Sequence, residues 1–339
     1  MIQYPRFTPG TTIGVTAPSS GIPVELHFLL QQASERMTRE GFKMRIGKTP
    51  WLQNKAKSAP ANVRALELTD LLRDNAVGLI FPPWGGELLV EILEHLDFDT
   101  FPVKWVLGYS DVSVLLLSIT LRTGIATAHG TNLADVRGEY SDETTAAWHA
   151  ALSTPSGRSF EQRSSPFYQK EWTHDKPSPC VFHLNEPTEW KTVSGGPTTF
   201  QGRLLGGCVD VIRHLIGTPY GDVATFRRKH TEGSAIVWYL ENCDLNAVDL
   251  RRSLVQMRLA GWFDGCSGIL FGRSGANRPF DDYAEIDVYE DLARELNVPI
   301  VFDIDCGHVP PQMTFINGAY AEIEVSVDGK GLVKQTFLP

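Results

Sequence analysis

The 339-residue sequence lacks the features that mark membrane, secreted and nucleic-acid-binding proteins. No window approaches eighteen uninterrupted apolar residues, which argues against a membrane-spanning helix. There is no long basic run, and the net charge of −9 disfavours nucleic acid or an anionic membrane as a partner. The first residues, MIQYPRFTPG, do not show the basic and then apolar pattern of a secretory signal. We therefore expect a soluble cytoplasmic protein.

Several chemical motifs are also missing. The five cysteines are odd in number and lack C-x-x-C spacing, which is typical of free thiols in a reducing compartment. The sequence contains no G-x-G-x-x-G after a strand, no phosphate-binding G-x-x-x-x-G-K-[ST] and no H-E-x-x-H. The nine histidines show no metal-ligand spacing. We therefore expect neither a metal nor a cofactor.

What is present is an ordinary globular composition, with 42% hydrophobic and 21% charged residues, in a chain long enough for two domains. In the first part, short apolar runs alternate with helical patterns, which predicts a doubly wound parallel sheet with helices on both faces. The predicted strands are 12–17, 76–81 and 104–107, and the predicted helices are 23–40, 87–96 and 111–122. The last helix is apolar on nearly every face, so we expect it to be buried centrally.

The alternation fails from about 154 to 196, where Ser, Pro, Gln and Lys are abundant. It then resumes with predicted strands 234–240, 267–271 and 299–304, helices 245–260 and 283–296, and a terminal hairpin over 320–337. The sequence thus predicts an α/β fold of two domains. We divide it into an N-terminal domain (1–155), a connection with a substrate loop (156–198) and a C-terminal α/β domain (199–339).

Polar side chains stand where several predicted strands end. In KWVLGYSDVSVLLLS, Ser110 and Asp111 join two apolar segments, as helix caps or as a nucleophile at a strand-to-helix turn. Gly85 and Gly86 follow the second strand, Glu241 follows SAIVWYL, and His308 follows PIVFDIDCG. Ligands collect beyond the carboxyl ends of parallel strands, so these residues form an inventory for nucleophilic acyl transfer.

Each residue also has a structural interpretation. Glu241 could cap a helix or pair with an arginine, His308 could be a structural histidine, and Gly85-Gly86 could be a tight turn. The second glycine of the G-x-S-x-G elbow is missing after Ser110, which weakens an α/β-hydrolase assignment, although the order Ser, Glu, His fits one.

Over nearly its whole length the chain resembles the serine peptidase family that contains the LD-carboxypeptidases and the microcin C self-immunity peptidases. The similar segments are 10–20, the glycine pair, 104–113, 201–207, 217–220, 239–242 and 307–308. The resemblance implies a triad of Ser110, His308 and Glu241. It also implies an oxyanion hole formed by the backbone N–H groups of Asp111 and of the Gly85-Gly86 turn, with Gly86 as donor and Gly85 beside the substrate. Metal-free amide hydrolysis and a homodimer are further implications.

The segment Glu189-Trp190-Lys191 resembles the loop with which the microcin immunity peptidases stack an aromatic ring on a nucleotide base. Stacking is the role we expect for Trp190, and a half-buried structural tryptophan is the alternative. Two departures, Pro82-Pro83-Trp84 before the glycine pair and Thr131 after His129-Gly130, bear on substrate recognition. The expected function is hydrolysis of microcin C-like peptide–nucleotide conjugates, in self-immunity or detoxification. A murein tetrapeptide LD-carboxypeptidase and a non-catalytic peptide- or sugar-binding protein are the alternatives.

Overall fold

A computed structural model of the chain describes residues 1–171, 176, 178–276 and 278–338. Residues 172–175 and 177, which belong to the predicted connection, therefore lie outside the described residues. The strands, in chain order, are β1 Thr12–Val15, β2 Lys43–Ile46, β3 Val77–Ile80, β4 Trp105–Gly108, β5 Thr127–His129, β6 Ser159–Arg163, β7 Phe167–Tyr168, β8 Glu186–Pro187, β9 Lys191–Thr192, β10 Thr198–Cys208, β11 Ile236–Glu241, β12 Cys266–Gly272, β13 Ile300–Ile304, β14 Phe315–Asn317, β15 Tyr320–Val325 and β16 Gly331–Thr336.

The helices fall between these strands. The α-helices are α1 His27–Arg39, α2 Ala61–Arg73, α3 Val112–Thr123, α4 Glu143–Ala146, α5 Trp148–Ser153, α6 Val209–Ile212, α7 Val223–His230, α8 Ala247–Leu259 and α9 Glu285–Leu296. The 3-10 helices are Val24–Leu26, Thr49–Trp51, Leu89–His95, Leu133–Val136 and Arg213–Leu215. The segment predicted as a helix over 87–96 is therefore one of the 3-10 type. Among the described residues, no helix is both long and apolar enough to cross a bilayer.

The first sheet has the strand order β14-β5-β4-β3-β1-β2, and its first five chain strands are parallel. Strand β2 lies on one side of β1 and β3 lies on the other, so the strand order reverses at β1. The loops after β1 and β3 therefore border a crevice at the carboxyl edge of the sheet. The loop after β4 ends beside them. This topology gathers Ser19, Gly85 and Ser110 at one place and confirms the predicted doubly wound sheet.

The second sheet has the order β6-β16-β15-β10-β11-β12-β13-β9, with β10 to β13 parallel and the other pairs antiparallel. Strands β15 and β16 form the predicted terminal hairpin. Both edge strands, β6 and β9, come from the segment predicted as a connection, and they cover edges that would otherwise expose unpaired backbone groups.

Helix α3 joins the two sheets into one core. All of its residues from Val112 to Leu121 are buried, as its sequence predicts. It contacts β4, β5 and β14 of the first sheet and β10, α6 and α7 of the second unit. The helix ends at Gly124, whose φ of 72° gives the left-handed C-cap that a glycine adopts without strain. The helix that follows Ser110 is therefore held in place by packing against elements of both sheets.

Candidate active site

Ser110 lies at a sharp turn between β4 and α3. Its φ is +64°, a left-handed conformation that serine rarely adopts. The turn continues directly into the helix, because Ser113 N–H donates to Ser110 O at 2.9 Å. Backbone strain of this kind persists only where the surrounding structure enforces it, and it is common at functional sites. The turn holds the hydroxyl at the edge of the cleft.

The structure brings together the three residues that the sequence predicted as a triad. His308 Nδ1–H donates to Glu241 Oε2 at 2.8 Å, and His308 Nε2 lies 3.0 Å from Ser110 Oγ, from which it accepts the hydroxyl proton when the imidazole is neutral. Ser110 belongs to the first sheet, whereas Glu241 ends β11 and His308 follows β13 in the second. Gly307, with φ of 96°, makes the turn that aims the imidazole at the serine.

The electrostatics of the pair favour the charged carboxylate. Burial alone would lower the pKa of His308, but the Glu241 carboxylate and a hydrogen bond with the Cys243 thiol raise it well above its usual range. Burial would raise the pKa of Glu241, which is 0% exposed, but the nearby His308 holds it below its ordinary value. Glu241 is therefore ionised at neutral pH and orients the imidazole.

The glycine pair is required by close packing against this turn. A Cβ on Gly85 would lie 2.7 Å from both Cβ and Oγ of Ser110. Gly86 has φ of 141°, and a Cβ there would overlap the Ser19 and Ser20 hydroxyls. Within the described part of the chain, the N–H groups of Gly86 and Asp111 donate to no protein acceptor. Both donors are therefore available to an oxyanion near Ser110.

The Asp111 side chain has a role that the sequence did not predict. It is 1% exposed, and its Oδ2 accepts from the Ser19 hydroxyl and, at 2.8 Å, from Leu89 N–H. Burial raises the pKa of Asp111 to about 6. The carboxylate thus ties the loop after β1 and the segment after the glycine pair to the turn that carries Ser110.

A cleft of about 310 Å³ opens over the serine. It is lined by Gly85, Gly86, Ser110 and His308, and also by Gln53, Trp84, Tyr109 and Asn132. Sequence reasoning missed Tyr109 and Asn132, although both lie beside noted motifs. Asn132 Oδ1 accepts from Tyr109 N–H at 3.2 Å, and the Tyr109 ring meets the His308 ring edge-on at 5.2 Å. Trp84 also lines a second groove of about 910 Å³, which has both apolar and charged lining residues.

Trp190 does not line this cleft. Its indole is 1% exposed in the core of the second sheet and packs against Gly331, and its Nε1–H donates to Asp305 Oδ2 at 2.9 Å. A ring buried in this way has no free face for a base. The structure therefore argues against the expected stacking role and favours the structural alternative. No group of three or more His, Cys, Asp or Glu side chains within the described residues could hold a metal ion.

Comparison with known sequences identifies the family. The model of the LD-carboxypeptidase N-terminal domain matches residues 13–130, and that of the LD-carboxypeptidase C-terminal domain matches residues 201–323. The chain belongs to the LD-carboxypeptidase family. Ser110 falls within the first match, and Glu241 and His308 fall within the second. The predicted family is thereby confirmed.

Relatives span almost the whole chain at low identity. A Vibrio cholerae protein with a provisional carboxypeptidase name is 25% identical over 337 residues, covering 96% of this chain and 95% of its own. The microcin C7 self-immunity protein MccF of Escherichia coli is 22% identical over 345 residues, covering 95% of this chain and 92% of its own.

Two solved structures show the shared fold. Wild-type MccF without ligand superposes with a TM-score of 0.84 at 20% identity, covering 100% of both chains. The muramoyltetrapeptide carboxypeptidase of Oxalobacter formigenes superposes with a TM-score of 0.73 at 17% identity, covering 97% of this chain and 100% of that one. At these identities the likeness establishes the α/β fold of the family and no particular substrate.

Proposed function

We propose that this LD-carboxypeptidase family member is a serine peptidase that hydrolyses amide bonds with Ser110, His308 and Glu241. The observation that carries the proposal is the unbroken hydrogen-bond chain from Glu241 through His308 to Ser110, at 2.8 and 3.0 Å. A nucleophile, a base and an orienting acid in contact are the minimum for acyl transfer by a serine. A protein that only binds its ligand has no need of the left-handed turn at Ser110.

The mechanism follows from this geometry. Ser110 Oγ attacks the scissile carbonyl while His308 Nε2 takes its proton, and Glu241 stabilises the imidazolium that forms. The carbonyl oxygen gains negative charge and accepts hydrogen bonds from the N–H groups of Asp111 and Gly86, at the N-terminal end of α3. His308 then protonates the leaving amine. Water, deprotonated by the same imidazole, hydrolyses the acyl-serine ester and restores Ser110.

For the substrate, we propose a small peptide–nucleotide conjugate of the microcin C type. Support comes from the full-length superposition on MccF, which has been solved with aspartyl sulfamoyl adenosine and with glutamyl sulfamoyl guanosine. The burial of Trp190 removes one sequence argument for a nucleotide and favours a murein tetrapeptide as the second candidate. The cytoplasmic location, the homodimer and the division at residues 155 and 198 stay predictions.

The decisive experiment combines labelling with two substrates. A fluorophosphonate should label the wild-type protein at Ser110 and should not label Ser110→Ala. The variant should lose turnover with little change in Tm, since a hydroxyl at a helix start contributes only about 0.5–2 kcal/mol. Parallel assays with an aminoacyl-sulfamoyl adenosine and a murein tetrapeptide identify the substrate class. Retained turnover in Ser110→Ala would overturn the proposal, and absence of both labelling and turnover in the wild type would indicate a binding protein.

A further inference from the structure

A second histidine lies behind the triad. His129 is the last residue of β5, where it pairs with Gly108 of β4 and Phe315 of β14 in the first sheet. It is 0% exposed, and its ring lies 5.3 Å from the Tyr239 ring of β11 in the second sheet. Tyr239 precedes Glu241 by two residues on that strand. His129 therefore reaches from one sheet to the strand of the other that carries the triad acid.

The neighbours of His129 define its protonation. Its Nδ1 lies 3.9 Å from Cys306 Sγ, within the range of a weak thiol hydrogen bond. Burial raises the pKa of the Cys306 thiol far above its usual value, so the thiol stays protonated and acts as the donor to Nδ1. Burial also lowers the pKa of His129 to about 4, so the ring is neutral. A neutral ring that accepts at Nδ1 carries its proton on Nε2.

Two buried polar atoms in this region have no hydrogen-bond partner among the residues that the structure describes. They are His129 Nε2 and Glu241 Oε1, and the two side chains interact electrostatically. One is the donor end of a neutral imidazole, and the other is the oxygen of Glu241 that does not bond His308. The Cys208 thiol also faces this carboxylate, but a thiol is a weak donor. In a low-dielectric interior, an N–H dipole acts more strongly on a nearby carboxylate than it would in water.

The geometry points to His129 as a positioning residue of the triad, whose Nε2–H acts on Glu241 Oε1 and keeps the carboxylate oriented so that Oε2 stays aligned on His308 Nδ1. This inference rests on the proposed serine-peptidase function and extends it across the boundary between the sheets. His129 stays neutral, so Glu241 keeps its full charge for His308. A second imidazolium here would compete for that charge.

The test compares two replacements of similar length. His129→Gln keeps an N–H donor near the position of Nε2, whereas His129→Leu fills the space without one. We expect Leu to lower kcat about tenfold with KM unchanged, equivalent to about 1.4 kcal/mol, and Gln to recover most of the loss. Ser118→Ala removes a buried hydroxyl of α3 that has no hydrogen-bond partner among the described residues, so it is the control and should behave as the wild type.

A spectroscopic readout separates positioning from folding. The proton between His308 Nδ1 and Glu241 should give a low-field ¹H NMR resonance, which should shift in His129→Leu and stay in place in His129→Gln and Ser118→Ala. An unshifted resonance and unchanged kcat in His129→Leu would overturn the inference. The inference would also be overturned if His129→Leu and His129→Gln lost kcat equally and in proportion to their loss of Tm. The resonance needs no turnover, so it tests the role of His129 separately from the hydrolysis abolished by Ser110→Ala.

Discussion

At the scale of single residues, the site depends on the close contact between Gly85 and Ser110, which leaves no room for a side chain at position 85. Gly85→Ala would place a methyl group 2.7 Å from Cβ and Oγ of Ser110. The nucleophile must then move, and a displacement of about 1 Å can reduce catalysis about a hundredfold. We expect kcat/KM to fall by about this factor, measured with the better of the two substrates. Gly196→Ala, where a Cβ meets nothing within 4 Å, is the control. Full activity in Gly85→Ala would contradict the packing argument.

The charge of Glu241 should be visible in the pH dependence of hydrolysis. His308 acts as a base only when neutral, so activity rises with pH through its pKa, which Glu241 raises above the usual value. Glu241→Gln removes the negative charge that raises the pKa of His308. The burial of His308 remains, and burial lowers the pKa of a histidine. The acidic limb of the kcat/KM profile should therefore move to lower pH while kcat falls by about 10⁴-fold. A limb that stays in place would mean that another group titrates.

At the scale of elements, Asp305 fixes the connection to the second sheet. It is 0% exposed and accepts from Trp190 Nε1–H at 2.9 Å, from Ser165 N–H at 3.0 Å and from Arg273. Trp190→Ala should cost about 3–5 kcal/mol of unfolding free energy, as for other buried aromatic residues. Trp190→Phe should cost about 1–3 kcal/mol, because it leaves Asp305 without one donor. Urea denaturation measures both.

The same variants test the burial of Trp190 against the stacking hypothesis. If the ring is structural, any effect of Trp190→Ala on turnover should be equal for the nucleotide conjugate and the murein peptide. A variant of unchanged stability that selectively loses affinity for the nucleotide conjugate would restore the stacking role.

The elements also show what the sequence could and could not predict. Strand-end positions predicted Ser110, Glu241 and His308, because parallel strands bring their carboxyl ends to one edge. The resemblance of Glu189-Trp190-Lys191 to a base-stacking loop predicted an accessible Trp190 ring. Alternate residues of an extended chain face opposite sides, however, so exposed Glu189 and Lys191 flank a buried ring. Strand β14, only three residues long, joins the first sheet from the far end of the chain. No local sequence pattern predicts such a pairing. The same holds for the hydrogen bonds that the Asp111 side chain accepts from Ser19 and Leu89.

At the scale of the whole molecule, the two sheets share one hydrophobic core although the triad is divided between them. Leu115 and Leu116 of α3 belong to the same buried cluster as Leu205 of β10 and Trp238 of β11. A core that continues across the boundary couples the stability of the two halves, whereas separate cores would let each half unfold alone. The position of Ser110 relative to His308 depends on this shared packing.

We therefore expect a single cooperative unfolding transition in urea. Far-UV circular dichroism, tryptophan fluorescence and residual hydrolysis should give coincident midpoints, since losing either half separates Ser110 from His308. Leu116→Ala, in the centre of α3, should lower the unfolding free energy by about 2–5 kcal/mol and shift all three curves together. Val327→Ala, at an 86% exposed position, is the control and should leave them unchanged.

A midpoint that rises with protein concentration would support the predicted homodimer. Hydrolysis lost well before secondary structure would instead mean that the halves separate while folded, and the shared core would then not be what holds the triad together.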